Sequence, residues 1–452
     1  MKKLKNPRTR RARKMFLDNA IHRVAAVLTV LLITIAACAI YVIRTNPRVP
    51  TITESDISGV YIARSELGRE TSPNVSSEDL AALVQGNSAF ACDLYQKIRS
   101  DSGNLFFSPY SISAALAMAY AGARGETEQQ MADALHFTLP QDRLHPAFNA
   151  LDLALAGEGN ENFRLDIANA LWGQVGQYFR SDFLDLLATN YGAGMWLVNF
   201  IEDAEMARIK INDWVSRHTE NRIENLLPPG AVDPLTRLVL TNAIYFHASW
   251  LVPFSESATE ENTFTLLDNS RVTVPMMSQE ASFRYAEGEG YKAVELPYSD
   301  QDTSMLVILP ELENFSEFEM TLNAERISEI VGNLVSMEVN LKMPKFEFEK
   351  SLALGQMLRG MGMSAAFDPY RADFSGIDDN RDLYITDVLH KAFISVDENG
   401  TEAAAATAVI VGTTAIPPPP VEISINHPFI FMIRNNSTGA ILFFGRVLDP
   451  TA

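Results

Sequence analysis

Residues 104–137 read NLFFSPYSISAALAMAYAGARGETEQQMADALHF, and their pattern decides the fold. Ser108 followed by Pro109 marks a helix start. The serine hydroxyl can accept from an unpaired backbone N–H, and proline suits the first helical position, where its missing N–H costs nothing. Gly122 suits the other end. Between them Ala114, Ala115, Leu116, Ala117, Met118 and Ala119 make the helix apolar nearly all round, which predicts burial on every side. Thr127 and Gln130 have the spacing of a capping box for a second, amphipathic helix.

Upstream, Ser77 can cap a run that reaches Ile98, with Glu78 and Asp79 in the first turn where the helix dipole favours them. Cys92 falls in the apolar pattern of Leu83, Phe90, Leu94 and Ile98, which predicts an inert buried thiol. Cys38 is the only other cysteine, so no disulfide staples the body and packing must stabilise it. Downstream, the strand-like runs 238–246, 305–309 and 429–433 sit among helices without alternating strictly with them. That distribution predicts an α+β fold.

At 452 residues the chain can bury a sizeable core. Its charge is split: residues 1–48 hold eleven Lys/Arg and one Asp, or +10, leaving −29 of the total −19 for the remainder. So acidic a body excludes nucleic acid as its partner. Residues 24–43, VAAVLTVLLITIAACAIYVI, carry no charge and at helical rise span about 30 Å. They read as a transmembrane signal anchor or an export signal. Residues 1–23 are the basic cytoplasmic segment that orients it, placing the body on the extracellular face, anchored or secreted. Ala37-Cys38-Ala39 fits a signal-peptidase site, and residues 35–38 resemble a lipoprotein box that would lipidate Cys38. Both stay open beside the uncut anchor. Residues 44–76 are polar with no sustained periodicity and read as a tether, leaving 77–452 as a single domain.

Several ordered blocks of the chain resemble the serpin family. Residues 104–127 are close to its signature for a central buried helix. Then follow IANALW (167–172), INDWVSRHTENRIENLL (211–227), TRLVLTNAIYFHASWLVPF (236–254), VPMM (274–277), LKMPK (341–345) and HPFIFMIRNNSTGAILFFGRVLD (427–449). Blocks of this length in this order are far more specific than one short motif. The resemblance covers residues 77–450 and suggests an inhibitory, bacterial-type member. It implies an α+β serpin fold with three β-sheets, about nine helices and an exposed reactive-centre loop at residues 398–420. It also implies a shutter of buried polar side chains at Ser108, Ser111, Asn242 and His390. At the loop's entry into the main sheet it implies a breach at Glu398, Lys345 and Trp250.

Residues 397–420, DENGTEAAAATAVIVGTTAIPPPP, pass from an acidic turn to tiny side chains, then a β-branched run, then four prolines. By composition alone this is a surface linker. Alanine favours helix and Val/Ile favour strand, so the segment suits more than one conformation. As a strand it would put Thr401, Ala403, Ala405, Thr407, Val409 and Val411 on one uncharged face, ending before Pro417. The resemblance makes Glu398, Gly400, Thr401, Ala403 and Ala405 the loop hinge, small enough to enter between paired strands without overpacking. Counting from Glu398 at the family's usual loop length puts the scissile bond at Thr414-Ala415. Counting back from His427-Pro428 puts it at Pro417-Pro418, and Val411, Thr413 and Ala415 stay open as alternatives. Val411, Gly412 and Thr413 would be read by the protease.

Enzyme signatures are missing: no G-x-S-x-G, H-E-x-x-H, CxxC or phosphate-binding glycine pattern occurs. No catalytic residue, metal or cofactor is implied. The expected activity is suicide inhibition of an elastase-like serine protease, trapped as a covalent acyl complex by a monomer that touches the membrane through residues 24–43. The alternative is a non-inhibitory binding or recognition protein on the same fold.

Overall fold

The computed structural model describes residues 50–156, 163–401 and 419–452. The basic arm and residues 24–43 therefore lie outside the described residues. Two sheets sandwich the predicted buried helix. Pro109–Tyr120 has eleven of its twelve residues buried, and it packs on strands of both sheets. Ser108 caps it as its sequence predicts, accepting from the Ser111 N–H at 3.2 Å. Gly122 follows the helix because a Cβ there would lie 2.1 Å from the Ile377 side chain.

Sheet 1 has eight strands, in spatial order Thr51–Glu54, Tyr61–Arg64, Met195–Val198, Phe163–Gln174, Leu238–Ser249, Gly400–Thr401, Ile385–Val396 and Phe346–Ala353. Sheet 2 has nine, including Leu105–Phe107, Thr303–Pro310, Phe429–Asn435 and Ile441–Val447. Ten α-helices complete the described residues, close to the nine expected. The third sheet is not separate among them. Arg271–Gly288 runs for eighteen residues and bonds Glu260–Thr265 near its start, Tyr291–Pro297 near its end and Val335–Pro344 between, so one ladder continues through both regions.

The structure corrects three local readings. Residues 50–76 are not a plain tether: Thr51–Glu54 pairs with Tyr61–Arg64, which pairs with Met195–Val198. The cap of Ser77–Ile98 is Ser76, whose side chain accepts from the Asp79 N–H. The capping box does not form, because the Thr127 hydroxyl accepts from the Asp373 N–H at 2.9 Å and Gly125–Leu135 starts without a side-chain cap. Cys92 is buried as expected, and desolvation, with Asp93 adding to it, pushes its thiol up to about 12.

Candidate functional site

The predicted site residues converge on one line in sheet 1. Leu238–Ser249 and Ile385–Val396 run parallel and bond each other directly, with Leu240 opposite Val388 and Asn242 opposite His390. At one end of this seam the two strands part, and Gly400–Thr401 lies between them, antiparallel to both. Antiparallel pairing is the slightly stronger kind. A strand continuing from Thr401 down the seam would replace one parallel ladder with two antiparallel ones.

Backbone contacts fix the entry to the seam. The Trp250 N–H donates to Asn399 O and the Phe254 N–H to Glu398 O, each at 2.8 Å, while Trp250 Nε1 donates to Asp397 O at 3.0 Å. Asp397 folds the turn on itself, accepting from the N–H groups of Asn399 and Gly400. Glu398 is 5% exposed. Its two carboxylate oxygens take the Lys345 ammonium and the Thr259 hydroxyl, both at 2.7 Å. Burial alone would raise this carboxyl, but the two donors outweigh it and hold it below the usual range.

Gly400 and Thr401 show why the hinge must be small. A Cβ on Gly400 would lie 2.1 Å from Ala248 O, so only glycine fits between the strands. Thr401 is buried, and its hydroxyl lies 2.8 Å from that of Tyr298. Tyr298 in turn stacks on Trp250 with ring centroids 4.6 Å apart.

Midway along the seam lies the predicted polar cluster, fully assembled. His390 Nδ1 bonds Asn242 Oδ1, and its Nε2 accepts from the Ser108 N–H at 3.2 Å. Because a backbone N–H must donate, Nε2 is bare and Nδ1 carries the hydrogen. Desolvation holds this imidazole neutral, with its pKa lowered to about 3. Asn242 Nδ2 donates to Ser111 Oγ at 2.6 Å and also bonds Asn169 Oδ1. Ser108 Oγ donates to Leu442 O at 2.6 Å, tying the cluster to sheet 2. The network ties neighbouring strands and the buried helix together, as completed buried polar groups do.

Beyond the loop, Val421–Ser424 pairs parallel with residues 339–342 of sheet 2. Ala403, Ala405, Val411, Gly412, Thr413, Thr414 and Ala415 lie outside the described residues. Sequence reasoning missed Asn169, Tyr298 and Thr259. Asn169 stands inside the quoted IANALW block and could have been flagged as a polar residue in a strand. Tyr298 and Thr259 carry no such local signal. Among the described residues no group of His, Cys, Asp and Glu could hold a metal ion.

Comparison with known proteins agrees with this geometry. Residues 85–450 match the family model described as Serpin (serine protease inhibitor). The chain is 41% identical over 370 residues to a leukocyte elastase inhibitor of Xenopus tropicalis, covering 80% of this chain and 97% of the relative. It is 42% identical over 370 residues to an uncharacterized serpin-like protein of Thermococcus kodakarensis, covering 81% and 86%. The crystal structure of the thermophilic serpin tengpin in its native state superposes with a TM-score of 0.75 at 32% identity, covering 85% of this chain and 97% of that one. A vertebrate and an archaeal relative do not mark the chain as bacterial-type. The expected extracellular location is also corrected: it is not what the match to leukocyte elastase inhibitors supports. Among the described residues no helix is long and apolar enough to cross a membrane.

Proposed function

Since the chain belongs to the serpin family, we propose that it inhibits a serine protease as a suicide substrate, with an elastase-like enzyme as its target. The protease reads Val411, Gly412 and Thr413. Its serine oxygen attacks the Thr414 carbonyl, the Thr414-Ala415 bond breaks, and Ala415 leaves with a protonated amine while Thr414 stays esterified to the enzyme. The chain before the cut is then free to follow Thr401 into the seam, in the manner of strand addition. Ala403 and Ala405 enter behind it without overpacking.

Two groups of residues time that entry. Glu398, Lys345 and Trp250 hold the turn at the mouth of the seam, and Ser108, Ser111, Asn242 and His390, with Asn169, hold its middle closed. Insertion carries the attached protease along and distorts its active site. A displacement of about an ångström is enough to slow deacylation by orders of magnitude. One chain carries loop, seam and both holding points, so a monomer suffices.

The observation that carries this reading is Gly400–Thr401 already paired with both seam strands. The small uncharged residues before Thr414 favour an elastase-like pocket over a trypsin-like one, and the name of the frog relative points to the same class. Incubation with pancreatic elastase tests it. The expected products are an SDS-stable complex and a released C-terminal fragment whose N-terminus lies near Ala415. Loop cleavage with full elastase activity and no complex would leave a binding protein and sink the inhibitor.

A further inference from the structure

Residues 50–72 join parts of the molecule that strand insertion would move against each other. Tyr61 pairs opposite Leu197 and Ala63 opposite Met195, so this segment extends the outer edge of sheet 1. The turn before it carries Ile57 and Val60, 7% and 0% exposed. Both lie in the apolar cluster beneath helix Ala204–His218, with Trp172, Trp214 and Phe200. Lys210 of that helix donates to Gly59 O at 3.3 Å, and Arg217 pairs with Asp56 at 3.2 Å.

The chain then crosses to other helices. Ser65 Oγ donates to Asp185, and the Glu70 N–H donates to Thr189 O at 2.9 Å, both on helix Ser181–Tyr191. Arg69 reaches a different element: Nε donates to Asn149 Oδ1 at 2.8 Å and Nη2 pairs with Asp152 at 2.6 Å, both on helix Gln141–Leu155. Asn149 Nδ2 returns a bond to Glu70 O at 2.7 Å.

Opening the seam requires Leu238–Ser249 to move away from Ile385–Val396. Phe163–Gln174 and Met195–Val198 are laddered on its far side and must move with it. Helix Ala204–His218 packs on Phe163–Gln174 and belongs to the same block. Helix Gln141–Leu155 packs on both Ser77–Ile98 and Ser181–Tyr191, with His145 Nδ1 2.7 Å from the Tyr191 hydroxyl and Asn149 Nδ2 donating to Thr189 O at 3.3 Å, so these three helices form a second group. The segment holds the moving block at one end, through Ile57, Val60 and the pairing with Met195–Val198, and this group of helices at the other.

We propose that residues 50–72 are a strap that keeps sheet 1 closed, so that its docking sets how readily the uncut loop enters the seam. The strap depends on the insertion mechanism proposed above. Its contacts must slip before the block moves, and charge-assisted bonds such as those of Arg69 are each worth a factor of about ten or more. A hairpin that merely enlarged the sheet would raise resistance to unfolding without changing the rate of uncut insertion.

The test uses the full chain, warmed uncut, with the appearance of a urea-resistant monomer followed on urea-gradient gels. Arg69→Ala and Val60→Asp should convert at least about tenfold faster than the parent, with Arg69→Lys between. Arg69 lies near the surface, so its variants remain informative if Val60→Asp misfolds. Conversion of Arg69→Ala at the parent rate overturns the strap. The insertion reading is judged separately, by nicking the parent loop: if no urea-resistant form appears, that reading fails whatever the strap variants do.

Discussion

Replacing Thr401 with arginine should convert the inhibitor into a substrate. Thr401 is 1% exposed, with Val396 on one side, Ala248 on the other and the Tyr298 hydroxyl at 2.8 Å. None of these offers a guanidinium a carboxylate. Burying an unpaired ion costs several kcal/mol even after relaxation, and leaving the Tyr298 hydroxyl without its partner adds about 1–3 kcal/mol. In the uncut chain this penalty drives the hinge out of the seam, and if about 4 kcal/mol of it must be met on re-entry, insertion slows roughly a thousandfold. Deacylation is untouched and wins. Titrating a fixed amount of elastase with increasing Thr401→Arg protein should show the loop cut at the parent rate, no SDS-stable complex and nearly full residual activity. A complex formed at the parent stoichiometry would refute the hinge argument.

Gly400→Ala should push the hinge out of the seam, because its Cβ would meet Ala248 O at 2.1 Å. Trp250 and Tyr298 line that position, so a change in tryptophan emission of the uncut protein should report it. Glu398→Ala removes the partner of Lys345, which is 36% exposed and can rehydrate. A loss of about 1–2 kcal/mol is expected, read from urea unfolding. Stability should also fall with acid. His390 and His145 are both buried, with desolvation lowering each to about 3 from an ordinary 6.5. A depressed folded pKa leaves the contribution intact above pH 6.5 and removes it as pH falls toward 3, by about 1.4 kcal/mol per pH unit for each histidine. Urea midpoints measured across that range should show the slope, and His390→Asn should flatten it.

The helix at Pro109–Tyr120 was legible in the sequence because its signals are local: Ser108 and Pro109 start it, and an unbroken apolar surface says it is buried. Likewise His390, Asn242, Ser108 and Ser111 could be assigned to one cluster through the family resemblance, and the structure brings them into contact. What stayed illegible depends on distant partners. Thr51–Glu54 and Tyr61–Arg64 are four residues each, too short for periodicity to reveal, and become strands only by pairing toward Met195–Val198. Thr127 has the right spacing for a capping box, yet its hydroxyl is taken by Asp373, far along the chain. Tyr298 joins the site by stacking on Trp250, which no pattern within ELPYSD announces. The merging of the expected third sheet into sheet 2 follows from the length of Arg271–Gly288, one strand of eighteen residues that continues through Pro275.

The central claim is that the ladder between Leu238–Ser249 and Ile385–Val396 can part and take the residues after Thr401 as a new strand. Thermal unfolding of the intact chain and of the same chain nicked once within residues 402–418 tests this directly. Insertion predicts that the nicked form melts well above the intact one, because cutting releases a strand into sheet 1. An unchanged or lower melting temperature after the cut would contradict it.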